Sequence, residues 1–244
     1  MELRAYLKRP LPKIPPRIAA ALETGGRITP TPFSHKNEIL QNAALQKETG
    51  FARLPGGDYL VAMTCPMPGV TPEMIRWWFW WHAQQSIRYK LWFPGEHYGI
   101  STARKNRAYF SAPEPPDFEP NVHYPVERIG RLILPLKIAF VSPEEFGFSP
   151  ALMREAGVPL IVSGHVGAVY GLIPHTEMAH IFLETEDGLT LVSRFWLGHT
   201  LKNPLLRKAM LTDATARGMA AHCCVEYRSL AAILPELYRQ KDER

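Results

Sequence analysis

Hydrophobic and polar positions alternate through YLVAMTC, Tyr59 to Cys65, and the run stops at Pro66-Met67-Pro68-Gly69, which predicts a strand ending in a turn. Thr71-Pro72-Glu73 then offers an N-cap, a proline at the first helical position and an early acid, so a helix is predicted through MIRWWFWWHAQQ. Trp77, Trp78, Phe79, Trp80 and Trp81 make nearly its whole circumference aromatic. Such a helix is buried on most sides or lines a cavity.

From Val122 to Val141 and from Leu160 to Leu197 the strand pattern returns, in VERIG, RLILPLKIAFV, LIVSGHVGAVYGLI, MAHIFLETE and LTLVSRFWLG, with Glu186-Asp187-Gly188 as a hairpin turn. An antiparallel sheet is the economical arrangement. Between these stretches, SPEEFGFSPALMREAGVP reads as an excursion from the sheet. Pro204 to Leu237 carries the longest helical pattern, with Gly218 its weakest interior point and Pro235 a kink or stop. Before residue 56, LKRPLPKIPPR and TPTPF oppose long helices and central strands. The expected organisation is therefore a proline-rich arm or cap over residues 1–55 and one α+β domain over 56–244, in which a sheet grips a C-terminal helix.

Composition changes this picture little. With 46% hydrophobic and 21% charged residues in 244, the chain reads as an ordinary soluble protein, without an apolar run of membrane-spanning or secretory kind, and a cytoplasmic location is expected. The net charge of +5 is concentrated at the start: five basic residues (Arg4, Lys8, Arg9, Lys13, Arg17) less Glu2 account for +4. The nearly balanced remainder argues against nucleic-acid or membrane partners. Cys65, Cys223 and Cys224 are expected to be reduced, and an adjacent pair lacks the spacing of a thiolate metal site. Packing is the expected role of Cys223 and Cys224. Sheet edges and the arm make a homodimer reasonable.

Chemistry enters through one helix face, Met219, His222, Glu226, Leu230, Ile233 and Leu237. His222 and Glu226, four residues apart, point the same way from an apolar stripe. A buried carboxylate there requires a partner, which a metal ion, a helix pair or an arginine would supply. Two further candidates stand elsewhere. His97 closes the aromatic segment YKLWFPGEH at a glycine-proline loop, and Glu127 lies in the strand HYPVERIG, where pairing with Arg128 or Arg104 is the alternative role.

The tryptophan-rich helix followed by YKLWFPxxH, the glutamate thirty residues later and HxxxE on the last helix together resemble the 2,4-diacetylphloroglucinol hydrolase family, to which phloretin hydrolase is related. The resemblance spans roughly residues 55 to 240. It implies a START-like helix-grip fold and one zinc ion held by His97, Glu127, His222 and Glu226, with other divalent ions not excluded. It implies hydrolysis of the carbon-carbon bond between a phloroglucinol-like ring and an acyl group, with Glu127 in the catalytic set. Tyr89 and His165 fall on pocket residues that hydrogen-bond substrate oxygens. Ile100 stands where the family has an asparagine, and His180 meets a family tyrosine, so the substrate is expected to be some small aromatic ketone or acylated phenol. Trp81, with Trp77, Trp78 and Trp92, is expected to wall the pocket against a flat aromatic ligand. Competing readings are a non-catalytic carrier of an aromatic or lipid-like ligand, and a metal-dependent hydrolase or decarboxylase of another phenolic compound.

Overall fold

A computed structural model describes residues 3–242; the outermost residues of the two expected segments, 1–2 and 243–244, lie outside the described residues. The strands are β1 (Gly50–Arg53), β2 (Tyr59–Pro68), β3 (His97–Thr102), β4 (Asn121–Ile129), β5 (Leu132–Val141), β6 (Leu160–Ala168), β7 (Ile173–Thr185) and β8 (Gly188–Leu197). They form one eight-stranded sheet in the order β1-β2-β8-β7-β6-β5-β4-β3, with antiparallel neighbours throughout. The α+β expectation holds.

The period of two explains how each strand serves two cores. On β2, Tyr59, Val61, Met63 and Cys65 belong to the inner core, while Leu60 between the first two faces the opposite side. The C-terminal helix (Asp213–Arg239) lies across the inner face with the tryptophan helix (Pro72–Trp81), and contributes Ala216, Ala220, Tyr227, Leu230 and Leu234 to the inner core. Thr71 caps the tryptophan helix by accepting from Met74 N, as its sequence predicts.

Four expectations change. The segment LIVSGHVGAVYGLI is not one strand: it reverses at Val169–Gly171, where Val169 and Tyr170 take φ of 52° and 55°, because antiparallel β6 and β7 need a connection. The helix expected from Pro204 to Leu237 is two, Pro204–Met210 and Asp213–Arg239, since the Thr212 side chain accepts from Thr215 N and starts a new helix. Pro235 does not end it. Leu237 beyond it is fully buried and the Tyr238 ring meets Trp77 at 5.4 Å, so tertiary packing outweighs the lost backbone bond.

The fourth concerns the N-terminal arm. Gly50–Arg53 is a strand of the sheet, Ile39, Leu40, Leu45 and Leu54 cover the sheet's outer face, and Tyr6 and Leu22 join the inner core. Among the described residues, no helix is long and apolar enough to cross a membrane.

Candidate metal centre and its chamber

A chamber of about 360 Å³ lies between the inner face of the sheet and the C-terminal helix. Its walls are mostly apolar, with Leu134, Leu136, Ile138, Phe140, Met178 and Phe195 from the sheet. At one part of that wall Glu127, His222 and Glu226 converge with His97, all buried, with one potential ligand atom from each lying within 4.8 Å of the others.

Each reaches the cluster for a local reason. His97 opens β3 opposite Glu127 on β4, and a register shift between His97 and Gly99 marks a bulge at that point. His222 and Glu226 come from one face of the helix, as their spacing predicts. His97 Nε2 lies 3.3 Å from Glu127 Oε2 and 3.4 Å from Glu226 Oε1, and His222 Nε2 lies 3.6 Å from Glu127 Oε2. Neither Nε2 has a hydrogen-bond partner.

Tyr89, on the short helix Ser86–Trp92, organises the cluster through two atoms. Its hydroxyl donates to Glu127 Oε2 at 2.7 Å, and its backbone oxygen lies 3.2 Å from His97 Nδ1. A carbonyl only accepts, so that contact places the proton on Nδ1 and leaves the lone pair on Nε2, facing the carboxylates. The Tyr89 and His97 rings also stack at 4.1 Å and 5°.

The two carboxyls of the site shift in opposite directions. Burial pushes the Glu226 carboxyl up, to about 8, opposed by His222 and reinforced by Glu127. Burial also acts upward on Glu127, but the neighbouring His222 and His97 imidazoles outweigh it and bring this carboxyl down. His97 is lowered by burial, whereas His222 is raised because its two glutamates overcome burial. Two close carboxylates and two buried imidazole lone-pair nitrogens suit a borderline divalent cation. The donor set fits such an ion.

The other residues expected in the pocket divide. Ile100 and His180 line the chamber, as do Tyr89 and Trp92. His180 is held by a 2.6 Å contact between its Nδ1 and Ser193 Oγ. His165 is not brought there: it sits on the outer face, its side chain half exposed, with Nδ1 2.6 Å from Glu177 Oε2 and its ring against Phe146. Its neighbour Val166 takes the inward position. Trp81 likewise turns from the chamber, stacking on Trp77 at 4.7 Å beneath the Arg88 guanidinium. Trp77 and Trp78 also lie outside the lining, and from this helix it is Phe79 that faces in, followed by His82. Cys223 and Cys224 are buried in the inner core, where burial pushes both thiols up.

Three lining residues escaped the sequence reading. Tyr227, directly after Glu226, is fully buried with an unpartnered hydroxyl, and His123 is buried with an unpartnered Nε2. His82 is buried with its Nδ1 2.6 Å from Trp78 O. The alternation of HYPVE, which puts His123 on the same face as Glu127, was the available signal for one of them.

Fold and site together define a class: an α+β protein whose antiparallel sheet and C-terminal helix enclose an apolar chamber with a two-histidine, two-glutamate cluster in its wall. The chain belongs to the DAPG hydrolase family, since residues 31–239 match the DAPG hydrolase PhiG domain. It is 32% identical over 228 residues to the 2,4-diacetylphloroglucinol hydrolase of Pseudomonas protegens, covering 84% of this chain and 72% of that protein. It is 31% identical over 259 aligned positions to the phloretin hydrolase of Eubacterium ramulus, covering 98% and 89% respectively.

Proposed function

We propose that this protein is a zinc-dependent hydrolase that cleaves the carbon-carbon bond between a phloroglucinol-like ring and an acyl group, releasing the latter as a carboxylic acid. The observation that carries the reading is the pair of buried, unpartnered imidazole nitrogens facing two carboxylates in the wall of an apolar chamber. The Pseudomonas protegens relative, named for hydrolysis of a diacetylated phloroglucinol, supplies the reaction class. We read the fold as START-like, its sheet gripping the C-terminal helix.

His97, Glu127, His222 and Glu226 would hold the ion. When bound, it supplies Lewis acidity toward an acyl carbonyl oxygen and toward water. The two glutamates balance its charge, which keeps the cluster neutral in apolar surroundings. In the net reaction, water gives its hydroxyl to the acyl carbon, and the ring carbon departs with the bonding electrons and gains a proton. Negative charge developing on the ring spreads to its oxygens, where fixed hydrogen-bond donors stabilise it most.

Tyr89 fixes the Glu127 carboxylate and the His97 tautomer, and places a phenolic hydroxyl at the same wall. The free hydroxyl of Tyr227 is suited to a ring oxygen, and His180 to a neighbouring one. Leu134, Ile138 and Phe195 exclude water around an aromatic ligand.

Elemental analysis of the purified protein, with assays of acylphloroglucinols and simple aryl esters with and without chelator, tests this reading. About one zinc per chain and chelator-sensitive release of a carboxylic acid from the ketones are expected. Ligand binding without metal or turnover would instead identify a carrier.

A further inference from the structure

The antiparallel order puts the last residues of β4, β6 and β8 and the first of β5 and β7 at one end of the sheet. Three connections lie there: the β4–β5 turn, the β6–β7 turn, and the segment from β8 through the helix Pro204–Met210. They are neighbours in space. Leu136 pairs with Ala168, Thr176 pairs with Leu197, and Gly198 N donates to His175 O at 2.6 Å. Leu132 and Ala209 line the chamber and are also exposed, so the chamber reaches the surface at this end.

Two features set this rim apart, and the first is apolar. Of the ten exposed large hydrophobic side chains among the described residues, seven lie on these three connections. Leu132 and Ile133 stand on the first, Val169, Tyr170 and Leu172 on the second, and Leu205 and Leu206 on the third. Leu172 and Leu205 are the most open, at 81% and 79% exposure. Val169 takes a positive φ that is costly for a β-branched residue, and its side chain stands in solvent. Proteins seldom gather so much open apolar surface unless it meets something.

The second feature is charge. Residues 129–137, 168–176 and 198–212 hold Arg131, Lys137, Lys202, Arg207 and Lys208 and no aspartate or glutamate. Arg131, Lys202 and Lys208 are exposed, and none of the five has an ion-pair partner among the described residues. Two carboxylates bordering them are already engaged: Asp213 accepts the Tyr59 hydroxyl at 2.7 Å, and Asp58 lies 3.8 Å from His199. Near balance of charge along the sequence conceals this segregation, because only the fold brings the three connections together.

The combination narrows the occupant. A second copy in a two-fold contact would set one cationic rim against another. A polyanion alone would leave the leucines in water. A bilayer with anionic headgroups meets both features, taking apolar side chains at the acyl boundary and cations at its phosphates. We propose that this end of the protein docks on bilayers containing anionic phospholipid, with the turns in the headgroup layer and the chamber mouth toward the lipid. Neither metal nor turnover is needed for that, so the proposal is independent of the hydrolase reading.

Co-sedimentation of the full-length protein with vesicles of phosphatidylcholine, alone or with about one third phosphatidylglycerol, measures the docking directly. Binding to the anionic vesicles is expected to be at least about tenfold tighter, each cation near such a surface being worth about fivefold. Combining Arg131→Gln, Lys202→Gln and Lys208→Gln should weaken it at least about tenfold, and the pair Leu172→Ser and Leu205→Ser should do the same through lost apolar insertion. A matched control removes as many cations from the N-terminal arm, with Arg4→Gln, Lys8→Gln and Lys13→Gln, and should leave binding within about twofold. All these side chains are exposed, so the fold is not at stake.

No binding by the wild type, or equal binding to both vesicles, overturns the proposal. So does an arm variant that loses as much as the rim variants, or rim variants that bind as tightly as the wild type. If vesicles are not bound and the leucine pair instead abolishes self-association in ultracentrifugation, the rim belongs to a second copy.

Discussion

The two faces of the sheet bury polar groups in opposite ways. On the outer face Arg194 donates to Ser193 O and Leu45 O, Trp196 Nε1 donates to Thr31 O at 3.0 Å, and Ser163 Oγ donates to Val141 O at 3.1 Å. On the inner face His97 Nε2, His222 Nε2, His123 Nε2 and Tyr227 Oη are buried without partners around an open space. One face is closed by its own chain, from Ile39 to Leu54, and stabilises the fold. The other leaves these atoms facing the chamber.

The largest test of that contrast is Glu226→Gln, which should reduce bound zinc well below one equivalent and lower turnover by at least about 100-fold, measured by elemental analysis beside activity. Normal zinc and full activity would remove Glu226 from the centre. Next is Trp196→Ala on the closed face, expected to cost about 3–5 kcal/mol in urea unfolding because a packed ring and its hydrogen bond are lost. Ile138→Ala on the chamber wall, already open on one side, should cost only about 1–2 kcal/mol.

Tyr89→Phe sharpens the comparison within the chamber. It should keep zinc but lower kcat on the order of 100-fold, the usual scale for a positioned acid or base; an unchanged rate would confine Tyr89 to packing.

The smallest effect belongs to His165, whose imidazole is raised by its hydrogen bond to Glu177. A raised folded-state value means the stabilisation is complete below the unfolded histidine value and is lost as pH rises through the folded one. Half exposed, the pair should contribute below about 1 kcal/mol. Comparing urea stability with His165→Gln at pH 5 and pH 9 should show the difference only at the lower pH, with kcat unaffected at either.

Particular residues show what was legible in the sequence. Thr71-Pro72-Glu73 specifies its helix start by capping alone, and the spacing of His222 and Glu226 places both on one helical face. His97 and Glu127 could be joined to them only through family resemblance, because nothing local says that β3 pairs with β4 in that register. His165 is placed in the pocket by resemblance alone, because Gly164 and Gly167 interrupt the apolar alternation that would assign β6 its faces. Trp81 was misplaced because consecutive aromatic residues carry no helical period from which an inward side can be chosen. His123 and Tyr227 become conspicuous only when their missing partners are seen.

One contact between backbones remains. Gly218 of the C-terminal helix meets Gly130 of the β4–β5 turn so closely that a Cβ on Gly218 would stand 3.2 Å from Gly130 Cα. His222 and Glu226 follow four and eight residues along the same helical face, while Glu127 lies three residues before Gly130 in the opposing chain. The spacing between the helix-borne and sheet-borne halves of the centre is thus gauged by two residues without side chains. A single methyl at that crossing would have to be met by a shift of a few tenths of an ångström in the Gly130 backbone, at the seam between the helix that carries His222 and the strand that carries Glu127.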